Sequence, residues 1–200
     1  MGRKLLKIFD NEIKKINDES LKRAVKDILI LCDDKNAVGA ASSSGKYHPQ
    51  FSLGEGGLIR HTKAVCLFVE RILSMMPQYD NKEAWDIPYC AAILHDMCKY
   101  IKGQEYTEMQ HPLIMGKMIR EYAKEKFANF DNLIEGDYTK MLLVADAVEC
   151  HMSRWHTDKK TGKPLGIPPT KMEHYIVAIA DMISATRNIK IDFDENNNIN

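Results

Sequence analysis

The sequence predicts an all-α fold, a single bundle of about six to eight helices. Apolar residues recur every three or four positions through most of the chain, the spacing that lines one helix face. Runs of alternating apolar and polar residues, the mark of half-buried strands, are few. The chain has 200 residues, 44% of them hydrophobic, which suits one globular domain with a full core. It reads as one domain over residues 1–200, with N-terminal helices in 1–34, a main body in 46–188 and a polar tail in 190–200. No internal repeat is visible.

Leu5, Ile8, Phe9, Ile13 and Ile16 form one amphipathic stripe, and Leu21, Val25, Ile28, Leu29 and Cys32 a second. Residues 34–57 hold AASSSGKYHPQFSLGEGG, whose glycines and serines mark a loop long enough to line a site. A helix is expected from Leu58 to about Met75, with His61, Val65, Phe68 and Ile72 on one face, and Pro77 stops it. Another covers about Lys82 to Met97. After a loop at 101–110, His111-Pro112 opens a helix to about Phe127, because proline suits the first turn. Thr139 to Met152 is the next. The last long helix is expected to open at Thr170, where T-K-M-E (Thr170 to Glu173) has the form of a capping box, and to run to about Asn188. The tail, DFDENNNIN, reads as frayed.

Twenty-eight basic residues balance 28 acidic ones. That balance argues against affinity for a long polyanion and leaves room for a small phosphate-bearing ligand, since a metal can make a site locally cationic. The five cysteines include no C-x-x-C pair and lie mostly in apolar helical patterns, which suits reduced core thiols. With no signal peptide and no apolar run of spanning length, a soluble cytoplasmic protein is expected. The segment Gly39 to Lys46, G-A-A-S-S-S-G-K, looks like a phosphate-binding loop. Its glycines are one residue too far apart, Tyr47 stands where Ser or Thr would be needed, and no strand precedes it.

Six polar residues stand out by context: His61, His95, Asp96, His111, His151 and Asp181. The run AAIL leads directly into His95-Asp96, and Asp181 lies in YIVAIADMISA, a helix apolar nearly all round. Singly, each has a plain reading as a hydrogen-bonded core histidine, a helix-end residue or a cap. Together they suggest a metal. A buried carboxylate needs a counter-charge, and imidazole nitrogens with carboxylate oxygens suit divalent manganese, iron, nickel or zinc. Neighbouring residues on a helix point about 100 degrees apart, so His95 and Asp96 can share an ion at a helix end, where the backbone adjusts.

The order His61, His95-Asp96, Asp181 resembles the H…HD…D signature of the HD-domain metal-dependent phosphohydrolases. GEGGLIRHT (Gly54 to Thr62) and AAILHDMCK (Ala91 to Lys99) are similar to that family's GGL-x-x-HT and LLHDIGK segments, with Met97-Cys98 replacing Ile-Gly. The resemblance covers about Lys46 to Asn188. It implies an HD-domain helical bundle in which His61, His95, Asp96 and Asp181 hold one ion. In the two-metal branches Asp96 would bridge to a second ion held by His111 and His151, so one or two divalent ions per chain are expected (manganese, iron, nickel, zinc or magnesium). The cyclic-di-nucleotide branch is disfavoured, because its GYP-containing segment is absent.

The implied activity is hydrolysis of a phosphate ester or anhydride of a nucleotide or short phosphodiester by metal-activated water. The partner is then a small phosphorylated molecule, with no long nucleic acid and no membrane. A nucleotide-binding module without turnover, on the same scaffold, is the alternative. Asp96 is the expected catalytic centre, and Lys99, three residues on, is placed to offset charge on phosphate. Arg60, His48, Trp155 and His156 are the other candidates for substrate contact. Trp155 could stack on a base, though packing against the core is the plainer reading. Lys46 and Lys163 could reach phosphate, solvated loop lysines being the default. His174 and Asp146 read as structural.

Overall fold

The computed structural model describes residues 3–42, 45–46, 48–101, 107–127, 135–158 and 161–200. Among these residues the fold is all-α, with eight α-helices: α1 (Arg3–Ile8), α2 (Asp10–Lys14), α3 (Glu19–Leu31), α4 (Gly57–Ser74), α5 (Asp86–Leu94), α6 (His111–Phe127), α7 (Glu135–Cys150) and α8 (Met172–Ser184). Two isolated antiparallel bridges, Thr157 to Pro164 and Phe193 to Ile199, are the β-type pairings among them. No helix of the described residues is long and apolar enough to cross a membrane.

Helix α5 is the axis of the bundle. Pro88, Tyr89, Cys90, Ala91, Ala92, Ile93 and Leu94 are all buried, so the helix is apolar on every side and packs against α3, α4, α7 and α8. α6 lies along α7, and α4 along α8. The stripes of the N-terminal helices join the same core, with Leu5, Phe9, Ile13 and Ile16 packed into the cluster that holds Ile93 and Leu94. The first stripe is divided between α1 and α2, which break at buried Phe9.

The carboxylate of Asp86, 1% exposed, fixes the entry to α5. It accepts from Asn17 N at 3.0 and 3.1 Å, from Asn17 Nδ2 at 3.1 Å and from Asp18 N at 2.7 Å, tying the α2–α3 turn to the first turn of α5. Asp18 in turn caps α3 through Ser20 N and Leu21 N. Asp86→Ala strands several of these donors and is expected to cost about 3 kcal/mol. Urea unfolding should show a lower midpoint with an unchanged slope; an unshifted midpoint would show that water replaces the carboxylate without penalty.

Two expectations at the C-terminal end are corrected. α8 opens at Met172, not Thr170, and no side chain of the T-K-M-E segment caps it in box fashion. His174 reaches back instead, its Nδ1 accepting from Thr170 N at 3.3 Å. The polar tail is folded, not frayed. Asp194 accepts from Asn196 N and Asn198 N, the Phe193 ring packs 5.3 Å from that of Phe51, and the tail docks on α4. There Arg60 Nη1 donates to Asn197 Oδ1 at 2.6 Å, and the buried ammonium of Lys63 donates to Asn198 Oδ1 at 2.7 Å. The many asparagines supply turn and acceptor groups, which composition alone reads as disorder.

Candidate metal centre

Five helices, α4 to α8, deliver the polar residues to one place. Gly56, in the left-handed region at φ 70°, precedes α4. Gly57 then sits so close to Ser52 that a β-carbon would lie 2.3 Å from its carbonyl oxygen. The approach is held by Gly56 N to Val38 O, Leu58 N to Gly39 O and Ala41 N to Ser52 O. His61 follows one turn later. α5 ends at Leu94, so His95 and Asp96 lie at and just beyond its C-terminus, inside the core. His111 is the first residue of α6, His151 directly follows α7, and Asp181 stands in α8.

The two carboxylates face the imidazoles. Asp96 Oδ1 lies 2.8 Å from His111 Nε2 and 3.6 Å from His151 Nε2. Asp96 Oδ2 lies 3.5 Å from His95 Nε2, 3.7 Å from His61 Nε2 and 2.7 Å from Lys99 Nζ. Asp181 Oδ1 is 3.0 Å from His61 Nε2 and 3.9 Å from His95 Nε2. The histidine and Asp96 side chains are almost wholly buried, while Asp181, 21% exposed, also faces outward.

The other ring nitrogens decide where the protons are. His95 Nδ1 is 2.7 Å from Ala92 O, His111 Nδ1 2.7 Å from Glu108 O, and His151 Nδ1 2.7 Å from Val148 O. A carbonyl oxygen only accepts, so each Nδ1 carries the hydrogen. His61 Nδ1 lies 3.2 Å from Ser184 Oγ, whose own hydrogen goes to Asp181 O at 2.9 Å, so His61 donates from Nδ1 too. In their neutral forms all four rings therefore aim an Nε2 lone pair at carboxylate oxygens. Burial, opposed by Asp96, pushes His111 down to about 4, so it is neutral near pH 7. Burial would raise the Asp96 carboxyl, but Lys99, His95 and His111 hold it well below its ordinary value. Asp181 is lowered as well, its burial outweighed by the neighbouring His61, His151 and His95.

Lone pairs facing lone pairs at these distances repel unless a cation lies among them. Among the described residues no hydrogen bond reaches the buried His95 Nε2 or Asp96 Oδ1. A divalent ion fits this donor set: nitrogen and oxygen ligands whose outer N–H groups are already anchored. Two groups have donor atoms within 4.8 Å of one another, His61 with His95 and Asp181, and His95 with Asp96 and His151.

Five of the six residues, all but the fully buried His95, form the floor of a cavity of about 1150 Å³. Lys99, His48, Lys46 and Trp155 also line it. The His48 ring is 6.1 Å from that of His61; burial pushes it down to about 4, and its buried Nδ1 has no hydrogen-bond partner among the described residues. Trp155, named above for substrate contact, is 62% exposed and lines the cavity instead of packing on the core. Two candidates for substrate contact are corrected. Arg60 turns away: Nε donates to Phe51 O, Nη2 to Leu53 O and Glu55 O, and Nη1 to Asn197. His156 lies outside the lining, 1% exposed beneath a loop that its own carbonyl closes by accepting from Leu165 N and Gly166 N. Exposed Lys163 is outside the lining too, and Asp146 pairs with Arg120 and Lys171.

Sequence reasoning passed over Arg154, Tyr175, Ile179, Met182 and Arg187, which complete the walls. The signal was present in α8. A helix apolar nearly all round has more apolar surface than one core contact needs: one face enters the core and a second faces the cavity.

No curated protein and no solved structure matches the chain. A family model does: the HD domain matches residues 58–186, well over half of the chain and the span holding all six donors. The chain belongs to the HD domain family, a superfamily of metal-dependent hydrolases.

Proposed function

We propose that this protein is a phosphohydrolase acting on a phosphate ester or anhydride of a nucleotide or short phosphodiester. The observation that carries the reading is the convergence of four imidazole Nε2 atoms on two carboxylates with every Nδ1 hydrogen already given away. His61, His95, Asp96 and Asp181 would hold one ion. Asp96 Oδ1 faces His111 and His151 while Oδ2 faces His61 and His95, which supports Asp96 as the bridge to a second ion. When bound, such ions supply Lewis acidity, lowering the pKa of water and offsetting charge on the phosphoryl oxygens.

The chain's own groups do the rest. The anchored Nδ1–H bonds fix the ring planes, so little reorganisation remains when substrate arrives. Lys99, at the cavity wall beside Asp96, offers an ammonium to a phosphoryl oxygen. His48, neutral near pH 7, lines the same cavity beside His61.

The test is elemental analysis of the full chain reconstituted with manganese or iron, paired with assays of mononucleotides, cyclic nucleotides and short oligonucleotides. Two ions per chain are expected, falling to one in His111→Ala. Metal retained without hydrolysis of any of these, across manganese, iron, nickel, zinc and magnesium, would overturn the enzyme reading in favour of a binding module.

A further inference from the structure

The cavity has two chemically different ends. Its floor is polar, and its outer wall is formed by α8, whose core face is His174, Ile176, Val177, Ala180 and Ser184. Tyr175, Ile179 and Met182, at i, i+4 and i+7, make a second apolar face, and each is 42–48% exposed along the cavity. The stripe is about 10 Å long by helix rise, the size of a ring system and not of a protein interface. Asp181 and this stripe line one cavity, so a ligand whose phosphate meets the floor has the stripe within the same space for its remainder.

Trp155 lines the same cavity. It sits on the 3-10 turn Ser153–Trp155 immediately after His151 and Met152, and Ser153 takes φ 48°, a left-handed value that a side chain disfavours. That turn carries the indole outward, 62% exposed, instead of into the core. The Arg154 guanidinium stacks over the indole at 4.8 Å from its centroid. Arg187, exposed at the same mouth, makes no ion pair among the described residues.

We propose that Trp155 and the Tyr175–Ile179–Met182 face form a slot for a planar aromatic group, such as a nucleobase, carried by the phosphate substrate. The slot selects aromatic over aliphatic phosphates. Continuity with the donor floor favours this occupant: the apolar face opens into the cavity and shares its helix with Asp181. An indole with a cation at its side suits a π-face, and thioether and aliphatic side chains opposite tolerate different rings. The inference rests on the phosphohydrolase reading for the placement of the phosphate.

The experiment compares adenosine 5′-monophosphate with ribose 5-phosphate, in which a hydroxyl replaces the adenine at C1′. Both are titrated into manganese-loaded protein carrying Trp85→Phe, so that emission comes from Trp155. The expected result is quenching by the nucleotide and a Kd about 10- to 100-fold tighter than for the sugar phosphate. Trp155→Ala should remove that advantage and Trp155→Phe retain most of it, read by calorimetry because the reporter is lost. With a hydrolysed nucleotide, Trp155→Ala should raise KM more than it lowers kcat.

Equal affinities, or an advantage that survives Trp155→Ala combined with Ile179→Ala, would overturn the slot. So would a concentration-dependent dimer broken by Ile179→Glu with the nucleotide preference intact, which would assign the face to a second copy. A nucleotide preference in binding with no hydrolysis supports the slot while overturning the phosphohydrolase.

Discussion

Asp96→Ala is expected to lower phosphate-ester turnover by at least about a thousandfold. Loss of a mere outer-sphere partner of a metal ligand costs about 10- to 100-fold, and Asp96 faces both imidazole pairs at once. The fold should survive. α5 is held by its apolar surface, not by Asp96, and the stranded Lys99 ammonium, 17% exposed, can turn toward water in the cavity. Circular dichroism should therefore show unchanged helix, and elemental analysis should show lost metal. Turnover persisting in a metal-free variant would defeat the assignment.

The second large effect is on stability. Gly57→Ala places a β-carbon 2.3 Å from Ser52 O and 2.6 Å from Ser52 C, backbone atoms that cannot rotate away. Ser52 is itself fixed, its oxygen accepting from Ala41 N and its hydroxyl donating to Pro49 O. A loss of about 3 kcal/mol is expected, or a fall in Tm of about 6 to 12 °C. Gly54→Ala is the control. Its φ of 65° penalises a side chain, but nothing lies within 4 Å, so about 1 kcal/mol is expected. Equal losses in the two variants would show that the Gly57 contact yields easily. Because α4 carries His61, the Gly57 variant should also bind metal less tightly.

The six donors were legible as a set because each stands where an apolar helix leaves no room for an uncompensated polar group. Periodicity located the helices, and His111-Pro112 marked the start of α6. What was not legible depended on direction or on long-range contact. Arg60 adjoins His61 in sequence, yet one residue along a helix is a turn of about 100 degrees, enough to aim it at the loop carbonyls. His156 follows Trp155 but lies under the loop it closes. The tail's order comes from partners on α4 more than a hundred residues away, which no local composition reports. Thr170 and Glu173 have a capping-box spelling, but the helix begins two residues late and His174 takes the bond.

The i−3 bonds of the histidines have one more consequence. Ala92 O and Val148 O belong to the last turns of α5 and α7, and the His95 and His151 rings cap them, Val148 O also accepting the His151 N–H at 3.3 Å. The same ring that ends the helix presents its other nitrogen to the centre. Fraying of either helix end and release of a ligand are thus one event. An ion at a hundred times its Kd would suppress that opening by about 2.7 kcal/mol, so amide exchange at these two helix ends should slow on metal loading before the rest of the bundle responds.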